Sequence, residues 1–183
     1  MGPQYEALSS ASLCAVAALS EDWEEAYAHA LRALEAGPSF DVLDGLYLHY
    51  EAEALLRGGD EQLAPEVLRR FVDRLRTTGR ERIAYLRSLA VLREFEDDIG
   101  SAIEHLHEAR TLAERIGLHK DLWQIQSKIG ELHEQRGQTE EAQEAFFLAA
   151  QTLRLLAGKI GDEELREGFL SAPRVRRVLG HAT

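Results

Sequence analysis

Ile129-Gly130-Glu131-Leu132-His133-Glu134-Gln135-Arg136-Gly137-Gln138-Thr139-Glu140-Glu141-Ala142-Gln143-Glu144-Ala145-Phe146-Phe147-Leu148-Ala149-Ala150 is the stretch that decides the fold. After Gly137, Ala142, Ala145, Phe146, Ala149, Ala150 and Leu153 recur at three- and four-residue spacing, the stripe of an amphipathic helix. Gly137 stands just past Arg136, and a glycine after a basic last turn is an expected helix stop. Thr139-Glu140-Glu141 suits the next helix start, a capping hydroxyl followed by two acids at the positive end of the macrodipole. The stretch therefore reads as two helices joined by a tight turn.

The same design recurs upstream. Ala26, Ala64, Ala102 and Ala142 are spaced by 38, 38 and 40 residues. Five residues before each stands Glu21, Gly59, Asp97 or Gly137, the turn. Twelve before stands Cys14, Ala52, Ala90 or Gly130, always small, and thirteen before stands Leu13, Glu51, Leu89 or Ile129, where Glu51 breaks an apolar column. Four after stands Ala30, Leu68, Leu106 or Phe146; seven after stands Ala33, Phe71, Ala109 or Ala149. A small residue on the first helix of a pair lets the second approach closely, and each pair leaves an apolar face for the next to bury. Further stripes at Leu68, Phe71 and Leu75, and at Ile103, Leu106, Ala109, Leu112, Ala113 and Ile116, fit this scheme.

Helices are expected over roughly 5–18, 22–36, 41–57, 62–78, 80–96, 99–116, 119–136, 139–159, 162–171 and 174–179. Breaks fall at Gly37-Pro38-Ser39, Gly58-Gly59-Asp60, Gly79, Glu96-Asp97-Asp98, Gly117 and Gly137. No period-2 segment with a hairpin signal interrupts them. Pro65 leaves two readings open: the fourth helix starts near Leu63, or it bends there. The fold class is all-α, an α-solenoid of four antiparallel pairs over residues 5–36, 41–78, 80–116 and 119–159. Residues 161–183 form a C-terminal cap and tail, with Asp162 as N-cap and Leu165, Phe169 and Leu170 covering the last pair.

Ile129-Gly130, His133, Gly137, Ala142, Phe146 and Ala149 resemble a tetratricopeptide repeat (TPR), and Tyr27, Ala30, Ala33 and Pro38 resemble the second half of another unit. Gln126 stands where the family's leading Trp would be, with Trp123 one turn earlier. The period exceeds the family's usual length of about 34 and is similar to arrays in bacterial signalling ATPases, adenylate cyclases and transcriptional regulators. The resemblance implies a right-handed solenoid, part of a bacterial regulatory protein, whose first helices line a concave partner-binding surface. Carried over residue by residue, that surface comprises His49, Glu53 and Arg57, then Arg87, Val91 and Glu94, then Gln124, Ser127, Glu131 and Gln135. Arg87 could pair with a partner carboxylate; a hydrated groove with internal ion pairs accounts for the same residues.

The 183 residues carry 32 acidic and 21 basic side chains, a formal charge of −11, with 45% apolar residues. That balance argues against a nucleic-acid binder, which needs basic surface to displace counterions. Residues 1–60 hold 11 acids against Arg32 and Arg57, either a surface for a basic partner or a solvated acidic face. One cysteine, Cys14, excludes a disulfide framework within the chain and a cysteine-rich zinc site, and a cytoplasmic protein is expected. The run Ala7–Ser20 holds no charged residue for 14 positions, too few to span a bilayer, and no Lys or Arg precedes it as in a secretion signal. A helix apolar all round should be buried. Removed repeats, a covering partner or a homodimer through this helix would satisfy it; so would the low cost of exposing short alanines.

No phosphate loop, zinc-protease helix or nucleophile elbow appears. His105 and His107 lie two apart and point in different directions on a helix. Acid pairs sit at helix starts, where the dipole accounts for them. The expectation is a non-catalytic module without metal or cofactor that binds a protein or peptide. The alternative is a regulatory domain sensing a small molecule or peptide signal.

Overall fold

The computed structural model describes residues 3–36, 47–72 and 79–181. Among these residues the chain is all-helical, with no strand. The helices are α1 (Pro3–Leu19), α2 (Trp23–Glu35), α3 (Leu48–Arg57), α4 (Leu63–Val72), α5 (Gly79–Phe95), α6 (Ile99–Arg115), α7 (His119–Gln135), α8 (Thr139–Ala157), α9 (Glu163–Ser171) and α10 (Pro173–His181). Neighbours pack in pairs, α1 on α2, α3 on α4 and α7 on α8. The break at Gly37-Pro38-Ser39, the expected helical residues 41–46 and 73–78, and the side chain of Phe71 lie outside the described residues. Gly79, expected as a stop, is the first residue of α5.

The chain divides within α6 into two compact units, Met1–His105 and Leu106–Thr183. In the first, α3 packs against α1, α2, α4 and α5. Its core gathers Cys14, Ala18, Ala26, Ala30, Leu48, Ala52, Leu55, Ala64 and Leu68. In the second, α8 packs against α7 and α10, around Trp123, Ala149, Ala150, Leu153, Val175 and Val178.

Five turns share one construction. Glu21, Gly59, Asp97, Gly117 and Gly137 all have positive φ, between 61° and 88°. In each, the next residue's N–H reaches back five residues, closing a six-residue segment: Asp22 to Ala17, Asp60 to Leu55, Asp98 to Arg93, Leu118 to Ala113 and Gln138 to His133, at 2.8–3.0 Å. This closure pairs carbonyls that the helix end leaves over. Four of the five positions are the sequence's turn column. Glycine takes the left-handed conformation without steric cost; Glu21 and Asp97 adopt it with a side chain.

The following helix then starts in a fixed way. The N–H of Ala26, Ala102 and Ala142 donates to Asp22, Asp98 and Gln138 at 3.0–3.1 Å, and all four anchor alanines are buried. Asp22, Asp98 and Asp162 cap α2, α6 and α9, each accepting from the N–H three residues on. Thr139 is not a cap: Gln138 holds that place without a side-chain bond to the helix. Its Oε1 lies 3.0 Å from His133 Nδ1 instead. Pro65 is the third residue of α4, inside the first turn, where a missing N–H leaves no helical bond unmade. No bend is needed.

The small-residue column does what packing requires. A Cβ on Gly130 would stand 2.9 Å from Cε1 and Cζ of Phe146, so α7 and α8 approach because that side chain is missing. The apolar column behaves otherwise. Ile129 and Glu51 are buried, but Leu13 is 48% exposed. The apolar first helix is covered on one side only: Ala7, Ala11, Cys14, Ala15, Ala17 and Ala18 face the core, while Tyr5, Leu13, Val16 and Leu19 are exposed.

The cap is also rearranged. Leu165 is 68% exposed and α9 has no buried residue. Phe169 and Leu170 pack partly buried on the core of the second unit, as expected, and the fully buried covering side chains are Val175 and Val178 of α10. Leu165 follows Glu163 and Glu164 in the first turn of α9, whereas the valines, three apart, lie on one face of α10.

Candidate functional site

The expected groove residues fall into two groups. In the first unit, His49, Glu53 and Arg57 follow at four-residue steps along α3, so they share one face. Arg57 donates to Glu53 Oε1 through Nε at 3.1 Å and Nη2 at 2.9 Å. Its guanidinium also lies 4.1 Å from the centroid of the Trp23 ring. Arg57 is therefore held both along its own helix and across to α2, by charge and by the ring's quadrupole.

Beside it, the Tyr27 hydroxyl donates to Asp60, and the ring lies so close to Gly58 that a Cβ there would collide with it. This contact explains the double glycine: Gly59 takes the positive φ and Gly58 makes room for Tyr27. The Asp60 bond also raises the Tyr27 phenol above its ordinary value. The sequence offered Gly58-Gly59 only as punctuation, since its partner lies 31 residues away.

His49 and Arg87 are buried. The His49 ring lies 3.9 Å from that of Tyr50, and the Arg87 guanidinium carbon lies 5.8 Å from the same Tyr50 ring. Glu51, which broke the apolar column, is buried too. His49 and Arg87 thus meet at the Tyr50 ring, a polar group between α3 and α5. His29 is buried on α2, with Nε2 3.7 Å from Glu25 and Nδ1 without a hydrogen-bond partner among the described residues. Val91 packs on the core of this unit, and Glu94 is half-buried.

Cys14 is fully buried. Desolvation pushes its thiol far up, and the charges of Glu51 and Glu53 add to the shift. A thiol held protonated is a packing group, not a nucleophile.

In the second unit, Ser127, Glu131 and Gln135 follow at four-residue steps along α7, and Gln124 precedes them by one turn. Ser127 is buried, Gln124 and Glu131 are half-buried, and Gln135 is exposed. Lys128 Nζ lies 3.4 Å from Glu131. Gln126 is buried and accepts from the Thr152 hydroxyl at 3.1 Å, with the Leu148 carbonyl equally close to that oxygen. A polar side chain is thus held in the interior because α8 supplies its partner. Trp123, one turn earlier, is buried against α8 and α10.

α10 ends on the α7–α8 pair. The His181 ring stacks on Phe146 at 4.2 Å and 13°, and Nδ1 lies 3.5 Å from Glu134 Oε1. The His107 and His133 rings are 6.5 Å apart. Burial lowers the His107 value, and the charges of Arg110 and His133 lower it further.

Among the described residues, no group of three or more His, Cys, Asp or Glu side chains could hold a metal ion. No described helix is long and apolar enough to cross a membrane. The arrangement offers hydrogen-bonding and charged faces on α3 and α7, with Arg57 already engaged by Glu53 and Trp23. No protein-family model matches the chain, and no curated protein matches it.

Proposed function

We propose that the chain is a TPR-like array of stacked helix pairs that works as a non-catalytic protein-interaction module. The carrying observation is the repeated turn. The same six-residue closure recurs at 38, 38 and 40 residues, each followed by a buried anchor alanine. Identical closures fix the angle at which each second helix leaves its first. Successive first helices then present equivalent faces, the arrangement from which repeat proteins build binding surfaces. Gln124, Glu131 and Gln135 supply polar groups of such a face on α7, and Glu53, Arg57 and Glu94 supply them in the first unit.

Selection of displayed peptides on the purified chain tests the reading. A selected peptide should bind in solution and lose about tenfold or more in affinity in a Gln124→Ala, Glu131→Ala, Gln135→Ala variant, because these residues would form its central contacts. Failure of every selected peptide to outbind its scrambled sequence would remove the reading.

The sensing alternative has one observation in its favour, the buried His29 Nδ1 that lacks a partner among the described residues. Such an atom is the place where a small polar ligand could complete a hydrogen bond. A small molecule that raises the melting temperature of the wild type but not of His29→Phe would favour sensing.

A further inference from the structure

On α1, Tyr5, Ser9, Leu13 and Val16 are exposed and follow at four, four and three residues, so they form one stripe, flanked by Leu19. This stripe has counterparts in the other pairs. Leu13 and Val16 stand thirteen and ten residues before the anchor Ala26. The positions equivalent to them are Glu51 and Ala54 on α3, and Ile129 and Leu132 on α7, all buried. Their equivalents on α5, Leu89 and Leu92, pack partly buried on the first unit's core. On α3 and α5 these positions are covered within the helical core of the first unit, and on α7 they are buried; on α1 they are 48% and 60% exposed. The face is therefore shaped for a helix. From Tyr5 to Leu19 it runs about 21 Å, four turns of helix.

Charge selects the occupant. Within residues 3–36 the acids are Glu6, Glu21, Asp22, Glu24, Glu25 and Glu35, and Arg32 is the one Lys or Arg. Glu6 adjoins Tyr5, while Glu21, Asp22, Glu24 and Glu25 follow directly after Leu19. The last turn of α1 carries no basic residue to offset its negative dipole end. A second copy laid on this face, parallel or antiparallel, would set acids against acids. A partner helix with an apolar stripe and Lys or Arg beside it would meet opposite charge at both ends. We propose that the Tyr5–Leu13–Val16–Leu19 face of α1 docks a basic amphipathic helix of another protein.

This proposal rests on the interaction-module reading and deepens it. Its residues are separate from those of the α7 peptide test, so either can fail while the other stands. The probe is a labelled synthetic helix of about 16 residues with Leu at i, i+3, i+4 and i+7 and Lys elsewhere, compared by fluorescence anisotropy with its Glu counterpart. The Lys peptide should bind the full chain about tenfold or more tightly than the Glu peptide, with affinity falling as salt rises.

General attraction to a chain of charge −11 would give some of that difference. The deciding variant is therefore the neutral change Leu13→Ser with Val16→Ser, at exposed sites. It should cut binding of the Lys peptide about tenfold while leaving the melting curve unchanged. The pair Glu6→Lys and Glu24→Lys, also exposed, should shift preference toward the Glu peptide. Equal binding of both peptides, no binding of either, or indifference to Leu13→Ser with Val16→Ser would overturn the proposal. So would a dimer in sedimentation that the serine pair dissolves, since a second copy would then occupy the face.

Discussion

Replacing Gly130 by alanine should destabilise the second unit, although the same change in an open helix stabilises. The intrinsic gain from Gly to Ala within a helix is about 1 kcal/mol. Against it stands Phe146, whose Cε1 and Cζ would lie 2.9 Å from the new Cβ. Carbon atoms prefer separations of roughly 3.5–4.0 Å, so the ring must retreat by at least half an ångström or so. It has little room: Phe146 is buried, and its outer face is stacked on His181 at 4.2 Å. Overpacking of this kind costs about 1–3 kcal/mol, and the net expectation is a loss of about 1 kcal/mol. For a unit of this size that lowers the unfolding midpoint by roughly 4–8 °C. Trp23 belongs to the first unit and Trp123 to the second, so Trp123 fluorescence in a Trp23→Phe background reports the second unit alone. The test is the sign in two backgrounds. With Phe146→Leu the obstacle is gone, and Gly130→Ala should then stabilise by up to about 1 kcal/mol. A raised midpoint for Gly130→Ala beside the intact Phe146, or the same sign in both backgrounds, would refute the packing argument.

Three further outcomes follow from the buried groups. Cys14, buried with its thiol pushed up by desolvation and by Glu51 and Glu53, should resist an aromatic disulfide reagent in the native chain and react promptly in denaturant; native labelling as fast as that of a small thiol would contradict this. His107 is held below its ordinary 6.5, so protonation favours the unfolded chain. Its contribution is full above pH 6.5 and falls as pH drops through that value toward the lower folded-state one. His107→Gln should flatten this acid-side loss of melting temperature, and an unchanged slope would count against it. Val178→Asp places an unpaired charge where α10 meets α8, which should cost about 3 kcal/mol or detach the helix. Trypsin cleavage after Arg174, Arg176 and Arg177 should then quicken, and wild-type resistance would show that α10 is not held by that valine.

Much of the fold was legible because it is local. Helix stripes, the turns at Gly59, Asp97 and Gly137, and the cap at Asp162 depend on residues within a turn or two of one another. Pro65 became clear only with the helix start in view, since one residue of register decides whether its missing N–H matters. Of the groove residues, the sequence placed Glu53 with Arg57 and Ser127, Glu131 and Gln135 on shared helix faces. It did not show that Arg57 is held on Trp23, nor that His49 and Arg87 lie inside. Those facts depend on which helix packs where.

By itself the sequence determined an all-helical chain of repeated pairs, because 3.6-residue periodicity, turn chemistry and small-residue columns are written at short range. The tertiary structure alone decided which apolar residues are covered. Leu13 and Ile129 occupy the same column, yet one is exposed and the other buried. Leu165 and Val178 both follow helix starts near the C-terminus, yet only the valine closes the core. Burial depends on the presence of a neighbouring surface, and a residue's own chemistry states only that burial would be favourable.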